Sequence, residues 1–278
     1  MLFPGVILYA IFFILPFLMA VYYSFTNWDF STARFIGLEN YINIFTNKDM
    51  NIGLKNTLIF TAVTAFFKTS LGLLLAIFLN QKLKTANYLK TVVFLPAVIN
   101  AVAVGIIMSA VLHPELGMLN RFLKFIGLGF LAQYWLTDIR IALYSVCFAE
   151  VWKWTGLSMV VFLAGLQAIS RDYYEVSDID GANAWQRFFH VTVPLLMPAI
   201  NNVTVMNLIG GLKVFDIVIA LTNGGPGNAT QVLNTVIFRS YSYNLQGEAC
   251  AGSVVLSLLV AVVAVTAYSI IAKKEVDV

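Results

Sequence analysis

Lys68, Glu150, Lys153, Lys213 and Asp216 stand in stretches of sequence otherwise built from apolar side chains. A charge at the centre of a membrane costs about 2.5–3.5 kcal/mol on insertion scales, so such residues normally face a bundle interior or an aqueous cavity. Glu150 with Lys153, and Lys213 with Asp216, are spaced i, i+3, which lets two side chains meet on one helix face. Two roles suit each pair: an ion pair that lowers the cost of burial, or the polar wall of a path. Lys68 belongs to a stripe of small and polar residues, Thr57, Thr61, Thr64, Lys68, Gly72 and Ala76, with Phe and Leu on the other sides. Small residues let helices approach closely. The stripe therefore reads as a packing face whose lysine binds backbone carbonyls or a carboxylate, with a water-lined path as the alternative. Asn207, Gly210 and Gly211 add a second unusual face. A glycine in a helix interior costs roughly 1 kcal/mol relative to alanine, and here the pair would admit a neighbour or a ligand to the backbone. That helix is the first choice for lining a path, with Asn207, Lys213, Phe215 and Asp216 as its substrate-facing candidates.

Other chemistries find no support. The two histidines, His113 and His190, lack His-Glu-x-x-His spacing and fall outside the apolar stretches. Ser253 follows Gly252 without a histidine in the same stretch, and reads as a small packing residue. No catalytic residue and no metal site is expected. A Gly-x-x-x-x-Gly-Lys-Ser/Thr phosphate loop is absent from the sequence, so energy must come from another chain or from a gradient. Cys147 and Cys250 lie in apolar surroundings and read as small core residues rather than a disulfide framework.

The elements that must carry these residues are membrane helices. Of 278 residues, 60% are apolar and only 11% charged, and mean hydropathy is +0.83. Soluble domains carry about 25% charged residues, so a compact soluble fold is excluded. A net charge of +3, with its basic residues scattered, does not suggest nucleic acid. A span needs roughly 20 predominantly apolar residues, and six stretches qualify: about 2–25, 57–80, 92–112, 141–164, 195–222 and 250–272. The first has no basic segment before it and reads as a retained span rather than a signal peptide. Trp28, Tyr41, Trp135 and Tyr241, near span ends, suit an interfacial belt; Trp152 and Trp154 flank Lys153 and remain ambiguous.

Loop charge sets orientation. Lys82, Lys84, Lys90, Arg171, Arg187, Lys273 and Lys274 fall on one side; Arg34, Lys48, Lys55, Arg121, Lys124, Arg140 and Arg239 fall on the other. The counts are equal, but the first set occupies about half as many loop residues, and density in short loops is what the rule weighs. Both termini are expected in the cytoplasm.

The connection over 165–193 is unlike a simple link between spans. Ser170 can cap a helix that begins Arg171-Asp172, with acids favourable in its first turns. Gly181 breaks that helix, and Ala182 onward restarts one with Trp185, Phe188 and Phe189 on an apolar face. Pro194 is expected to open the next span. The result is a helix–turn–helix at the cytoplasmic surface with an exposed acidic edge, which is either a docking knob or merely a surface helix.

From Glu175 through Asp180-Gly181-Ala182, Trp185-Gln186, Phe188 and Val193-Pro194-Leu195-Leu196, the run resembles the EAA loop of binding-protein-dependent ABC importer permeases. Further matches resemble the sugar-permease branch of that family. They are Gly37-Leu38-Glu39-Asn40-Tyr41, Trp152-Lys153-Trp154-Thr155-Gly156, Leu163-Ala164-Gly165-Leu166-Gln167, Val214-Phe215-Asp216, Leu221-Thr222, Gly224-Gly225-Pro226 and Ala229-Thr230. The likeness covers nearly the whole chain in order, and is closest in arrangement to the maltose and glycerol-3-phosphate permease type. One departure is that the family's Glu-Ala-Ala reads Glu175-Val176-Ser177 here, which bears on packing against the ATPase.

The resemblance implies an all-α membrane protein of six transmembrane helices with the type I ABC importer permease fold, forming one permease domain over 1–278. It implies a carbohydrate substrate, a second permease subunit, two cytoplasmic ATPase subunits and an extracytoplasmic solute-binding protein. ATP and Mg would sit on the ATPase, and this chain would carry no cofactor. Glu175, Asp178, Asp180, Gly181 and Ala182, in a coupling region over 170–190, would transmit ATPase closure. The first span would wrap the partner, in a bacterial or archaeal cell membrane. An ion-coupled secondary transporter, with Lys68 and the Glu150/Lys153 pair as a relay, is the alternative, although no internal repeat of the kind common in such proteins is evident.

Overall fold

The computed structural model describes residues 3–81 and 84–273. Lys82 and Lys274, on which the charge-based orientation partly rests, lie outside the described residues. In chain order the first helices are α1 (Phe3–Tyr23), α2 (Glu39–Thr46), α3 (Lys48–Leu79), α4 (Ala86–Val98), α5 (Ala101–Val111) and α6 (Met118–Phe125). There follow α7 (Ala142–Ala168), α8 (Arg171–Ile179), α9 (Ala184–Leu195) and α10 (Met197–Leu212). The last are α11 (Asp216–Thr222), α12 (Leu233–Ser242) and α13 (Gln246–Ala272). Among the described residues β pairing is limited to an isolated bridge between Thr26 and Phe35.

Four helices, α1, α3, α7 and α13, are each long and apolar enough to cross a membrane, and two bent pairs bring the spans to six. The sequence places α3 from 57, but the helix begins at Lys48, where the Asn47 side chain accepts from the Asp49 amide at 2.8 Å. At 32 residues it runs roughly 48 Å, well beyond the ~30 Å of a hydrocarbon core. Lys55 is therefore helical rather than part of a loop.

The expected straight span over 92–112 is two helices, α4 and α5, that turn through 104°. Pro96 lies in the last turn of α4 and cannot donate to the helix ladder. Ile99 leaves the helical region with ψ 136°, and the Asn100 side chain caps α5 by accepting from the Val102 amide at 2.8 Å. The expected span over 195–222 also divides. Pro194 completes α9 rather than opening a span, and the chain bends by 68° into α10. After Leu212, Lys213 to Phe215 leave the helix, with Phe215 at φ −149°, ψ −61°, and α11 restarts at Asp216.

Helix α7 is the centre of the bundle, with α3, α4, α10 and α11 all packed against it. The small stripe on α3 is its buried face: Thr57, Thr61, Thr64, Lys68, Gly72 and Ala76 are all buried. A β-carbon on Gly72 would lie 2.7 Å from Ser158 Cβ, so only glycine lets α3 and α7 meet there. One apolar cluster joins Phe60, Val104, Met108, Leu143, Val146 and Val218 at the α6 end of the bundle. A second joins Ala76, Leu79, Phe162, Leu166 and Leu196 at the α8 end. The segment before α12 is pinned to α3. Asn56 Nδ2 donates to Ala229 O at 2.9 Å and Gln231 O at 2.8 Å, and the Leu233 amide donates to Thr57 Oγ1 at 2.8 Å. Helix α1 packs on α13, and its apolar window has no buried residue.

Candidate functional site

Lys68 from α3, Glu150 and Lys153 from α7, and Lys213 and Asp216 from the break between α10 and α11 converge on one cavity of about 300 Å³. Asn207, Gly210, Phe215, Trp154 and Ala101 complete much of its wall. All four substrate-path candidates from the sequence, Asn207, Lys213, Phe215 and Asp216, lie on that wall. Sequence reasoning did not find Ala101 or the turn at Ile99, although Pro96 and Asn100 are the local signals for a helix break there.

The pairing inside the cavity differs from the expected one. Glu150 does not pair with Lys153 along its own helix. Its Oε1 lies 3.4 Å from Lys68 Nζ on α3, with side-chain exposures of 8% and 3%. Lys153 is freed to donate to Ile99 O at 2.7 Å, a carbonyl that the end of α4 leaves open, and its ammonium lies 5.1 Å from the Trp154 ring centre. Lys213 and Asp216 do not share a helix either, because the backbone leaves the helix between them. Among the described residues the ion pairs are Lys68–Glu150 and Arg187–Asp178. Lys213 and Asp216 are exposed at the cavity edge.

Asn207 is 3% exposed, and its amide donates to Thr69 Oγ1 and Ser158 Oγ, both at 3.1 Å. It thus ties α10 to α3 and α7 while forming part of the wall. The glycine pair divides its labour. A β-carbon on Gly211 would sit 2.9 Å from Thr61 Cα, whereas one on Gly210 would meet nothing within 4 Å. Gly211 admits a neighbouring helix and Gly210 faces open space. Among the described residues no group of three His, Cys, Asp or Glu side chains gathers to hold a metal.

The second feature is the surface hairpin of α8 and α9. Ser170 Oγ accepts from the Asp172 amide at 3.3 Å, capping α8. Gly181 ends the turn at φ +75°, a conformation that L side chains rarely adopt. Asn183 and Gln186 form a reciprocal cap for α9, each accepting at 2.9 Å. Glu175, Asp178, Asp180 and Gly181 are exposed and Ala182 is half-buried. Asp178 Oδ1 is engaged by Arg187 at 2.5 Å, so the turn is clamped from within. Val176, the departure from the family pattern, is 57% exposed beside Ile179 at 85% and Trp185 at 73%. An apolar edge therefore accompanies the acidic one, and α7 leads into it through Ile169 and Ser170.

The family of binding-protein-dependent transport system inner membrane components matches residues 68–274. The chain belongs to this family. The permease is 34% identical over 258 residues to the probable ABC transporter permease protein YurN of Bacillus subtilis, covering 91% of the permease and 88% of that protein. It is 33% identical over 264 residues to the arabinooligosaccharides transport system permease protein AraP of the same organism, covering 94% and 83%. It superimposes on a crystal structure of a bacterial ABC transporter involved in import of the acidic polysaccharide alginate. The TM-score is 0.85 at 26% identity, over 98% of the permease and 94% of that chain. A second structure, of an alginate ABC transporter in complex with alginate pentasaccharide-bound periplasmic protein, gives 0.83 at 26% identity, over 96% and 91%. The permease thus has the type I importer fold, and its place is the membrane component of an ABC importer. The ion-coupled secondary transporter gives way to that assignment.

Proposed function

We propose that this permease forms half of the translocation path for a carbohydrate, delivered by an extracytoplasmic solute-binding protein and moved at the expense of ATP hydrolysed on partner chains. The observation that carries the reading is the cavity. Charged side chains from three regions of the chain meet inside a bundle that is otherwise apolar, and polar groups inside a membrane normally mark a solute path. Lys213 and Asp216 offer hydrogen bonds to hydroxyl groups, and Phe215 offers a ring face. The names of AraP and of the alginate importer support a sugar or oligosaccharide as the substrate class.

The remaining half of the path would come from a second permease subunit, with α1, exposed along its length, reaching round that partner. Two cytoplasmic ATPase subunits, holding ATP and Mg, would receive the α8–α9 knob through Glu175, Asp178, Asp180, Gly181 and Ala182. Both termini then face the cytoplasm of a bacterial or archaeal cell. Alternating access needs two packings of similar free energy, biased in turn by ATP and by the loaded binding protein.

The test is a gentle-detergent purification of the tagged chain from its own membranes, followed by mass spectrometry and sugar uptake after reconstitution. A second six-span protein and a pair of ATPase chains should accompany it. Recovery of the chain alone, with uptake intact in the absence of ATP, would overturn the reading.

A further inference from the structure

The segment between α5 and α7, on the opposite end of α7 from the α8–α9 knob, folds into a small rigid unit whose outer face matches none of the roles above. Asn120 is its clamp. This side chain is 2% exposed, donates to Pro114 O at 2.8 Å and Gln133 O at 3.0 Å, and accepts from Trp135 Nε1 at 2.7 Å. The His113 ring caps the preceding turn by accepting from the Leu116 amide at 3.1 Å. Gly127, at φ +80°, closes α6, and the Leu128 amide returns to Leu123 O at 2.8 Å. The unit is built to hold α6 in one orientation.

That orientation turns apolar residues outward. With Leu119, Asn120 and Leu123 facing the unit, the outer stripe of α6 is Met118, Phe122 and Phe125, which are 72%, 59% and 88% exposed. Phe130 beside them is 75% exposed. A 100° step per residue places Arg121 roughly 70° from the centre of the stripe and Lys124 further round on the same side, about 130° from it. Both are exposed, and neither forms an ion pair among the described residues. An apolar stripe with cations along its edge is the pattern of a helix lying in a membrane interface: the stripe enters the acyl boundary and the bases reach the headgroups. Position agrees, because α5 and α7 are both parts of membrane spans and the unit joins their ends on one side of the bilayer.

We propose that α6 and the Phe130 turn dock on the bilayer through which the chain passes, with anionic phospholipid headgroups against Arg121 and Lys124. The unit is a membrane anchor at the extracytoplasmic end of α5. It does not depend on what the cavity carries.

The experiment uses the complete transporter in nanodiscs of anionic or zwitterionic phospholipid, with a nitroxide at Phe125→Cys or, separately, Phe130→Cys. Cys147 and Cys250 are buried, and the parent complex treated with the same label serves as the blank. Collision with dissolved oxygen and with a neutral water-soluble nickel chelate is read by electron paramagnetic resonance. The oxygen-to-nickel ratio at both sites is expected to exceed that at Ser31→Cys, an exposed loop position, because the apolar face would sit below the headgroups. Arg121→Gln with Lys124→Gln should lower the ratio in anionic discs toward the zwitterionic value. Free access of nickel overturns the proposal. So does protection from both reagents, which would mean cover by the second permease, and so does protection that appears only when solute-binding protein is added.

Discussion

Replacing Glu150 by Gln leaves the Lys68 ammonium in a site where its side chain is 3% exposed. At 3.4 Å the pair attracts with about 5 kcal/mol if the effective dielectric is about 20. Desolvation of both groups offsets much of that, so the whole pair is close to neutral against an apolar replacement, while removal of one partner costs about 3–5 kcal/mol. Glu150→Gln and Lys68→Met should therefore each destabilise the complex by that amount, and the double variant should recover most of it. The measurement is an unfolding titration of the four proteins in one detergent, read as a double-mutant cycle. Additive single losses would refute the reasoning, because they would mean that Lys68 and Glu150 act on separate partners. Uptake per folded complex then separates the two roles left open by the sequence. A pair that only locks α3 to α7 leaves transport by the double variant near the parent rate. A pair that lines the path does not.

Asp216→Asn should change substrate affinity or rate in an uptake assay with expression unaltered, and a change confined to folding yield would remove the residue from the path. At Gly181, a β-carbon meets nothing within 4 Å, but the φ of +75° costs an L residue roughly 1–2 kcal/mol. Gly181→Asn should retain uptake and transport-coupled ATP hydrolysis better than Gly181→Val, with both variants expressed; equal activity of the two would count against a conformational role for the turn. At Gly156, where a β-carbon would lie 2.3 Å from Val93 O, Gly156→Val should separate α4 from α7 and lower the yield of assembled complex on gel filtration. Lys153→Met removes the donor to Ile99 O and should lower the unfolding midpoint of the complex in detergent, whereas an unchanged midpoint would show that the bend holds without it.

The spans and the α8–α9 hairpin were legible because their signals are local. Runs of apolar residues, the Ser170 cap and Gly181 each act within a few positions of themselves. The pairing in the cavity was not. An i, i+3 carboxylate and ammonium can meet on one helix, but Glu150 met Lys68 instead, since the stripe of small residues on α3 brings that lysine against α7. Lys153 then went to a carbonyl that exists only because α4 ends at Val98. The breaks at Ile99–Asn100 and Lys213–Phe215 were hidden by hydropathy, which does not register direction, although Pro96 marked the first of them. The four path candidates came from a single stretch of chain; Lys68, Glu150 and Lys153 stood out by their charge, but that they and Ala101 close the same wall needed the packing to be seen.

Helix α3 has no break along its roughly 48 Å. Near its start it is riveted by Asn56 and Thr57 to the segment entering α12. At its other end Ala76 and Leu79 bed into the cluster that contains Leu196, the hinge between α9 and α10. Helices α7 and α13 also cross unbroken, at 27 residues each, whereas the α4–α5 and α9–α10 routes pass through bends of 104° and 68°, which can absorb displacement. A straight rod cannot. A displacement of the loop at one face would therefore reach the α9–α10 hinge at the other along α3, and would be taken up where the chain bends.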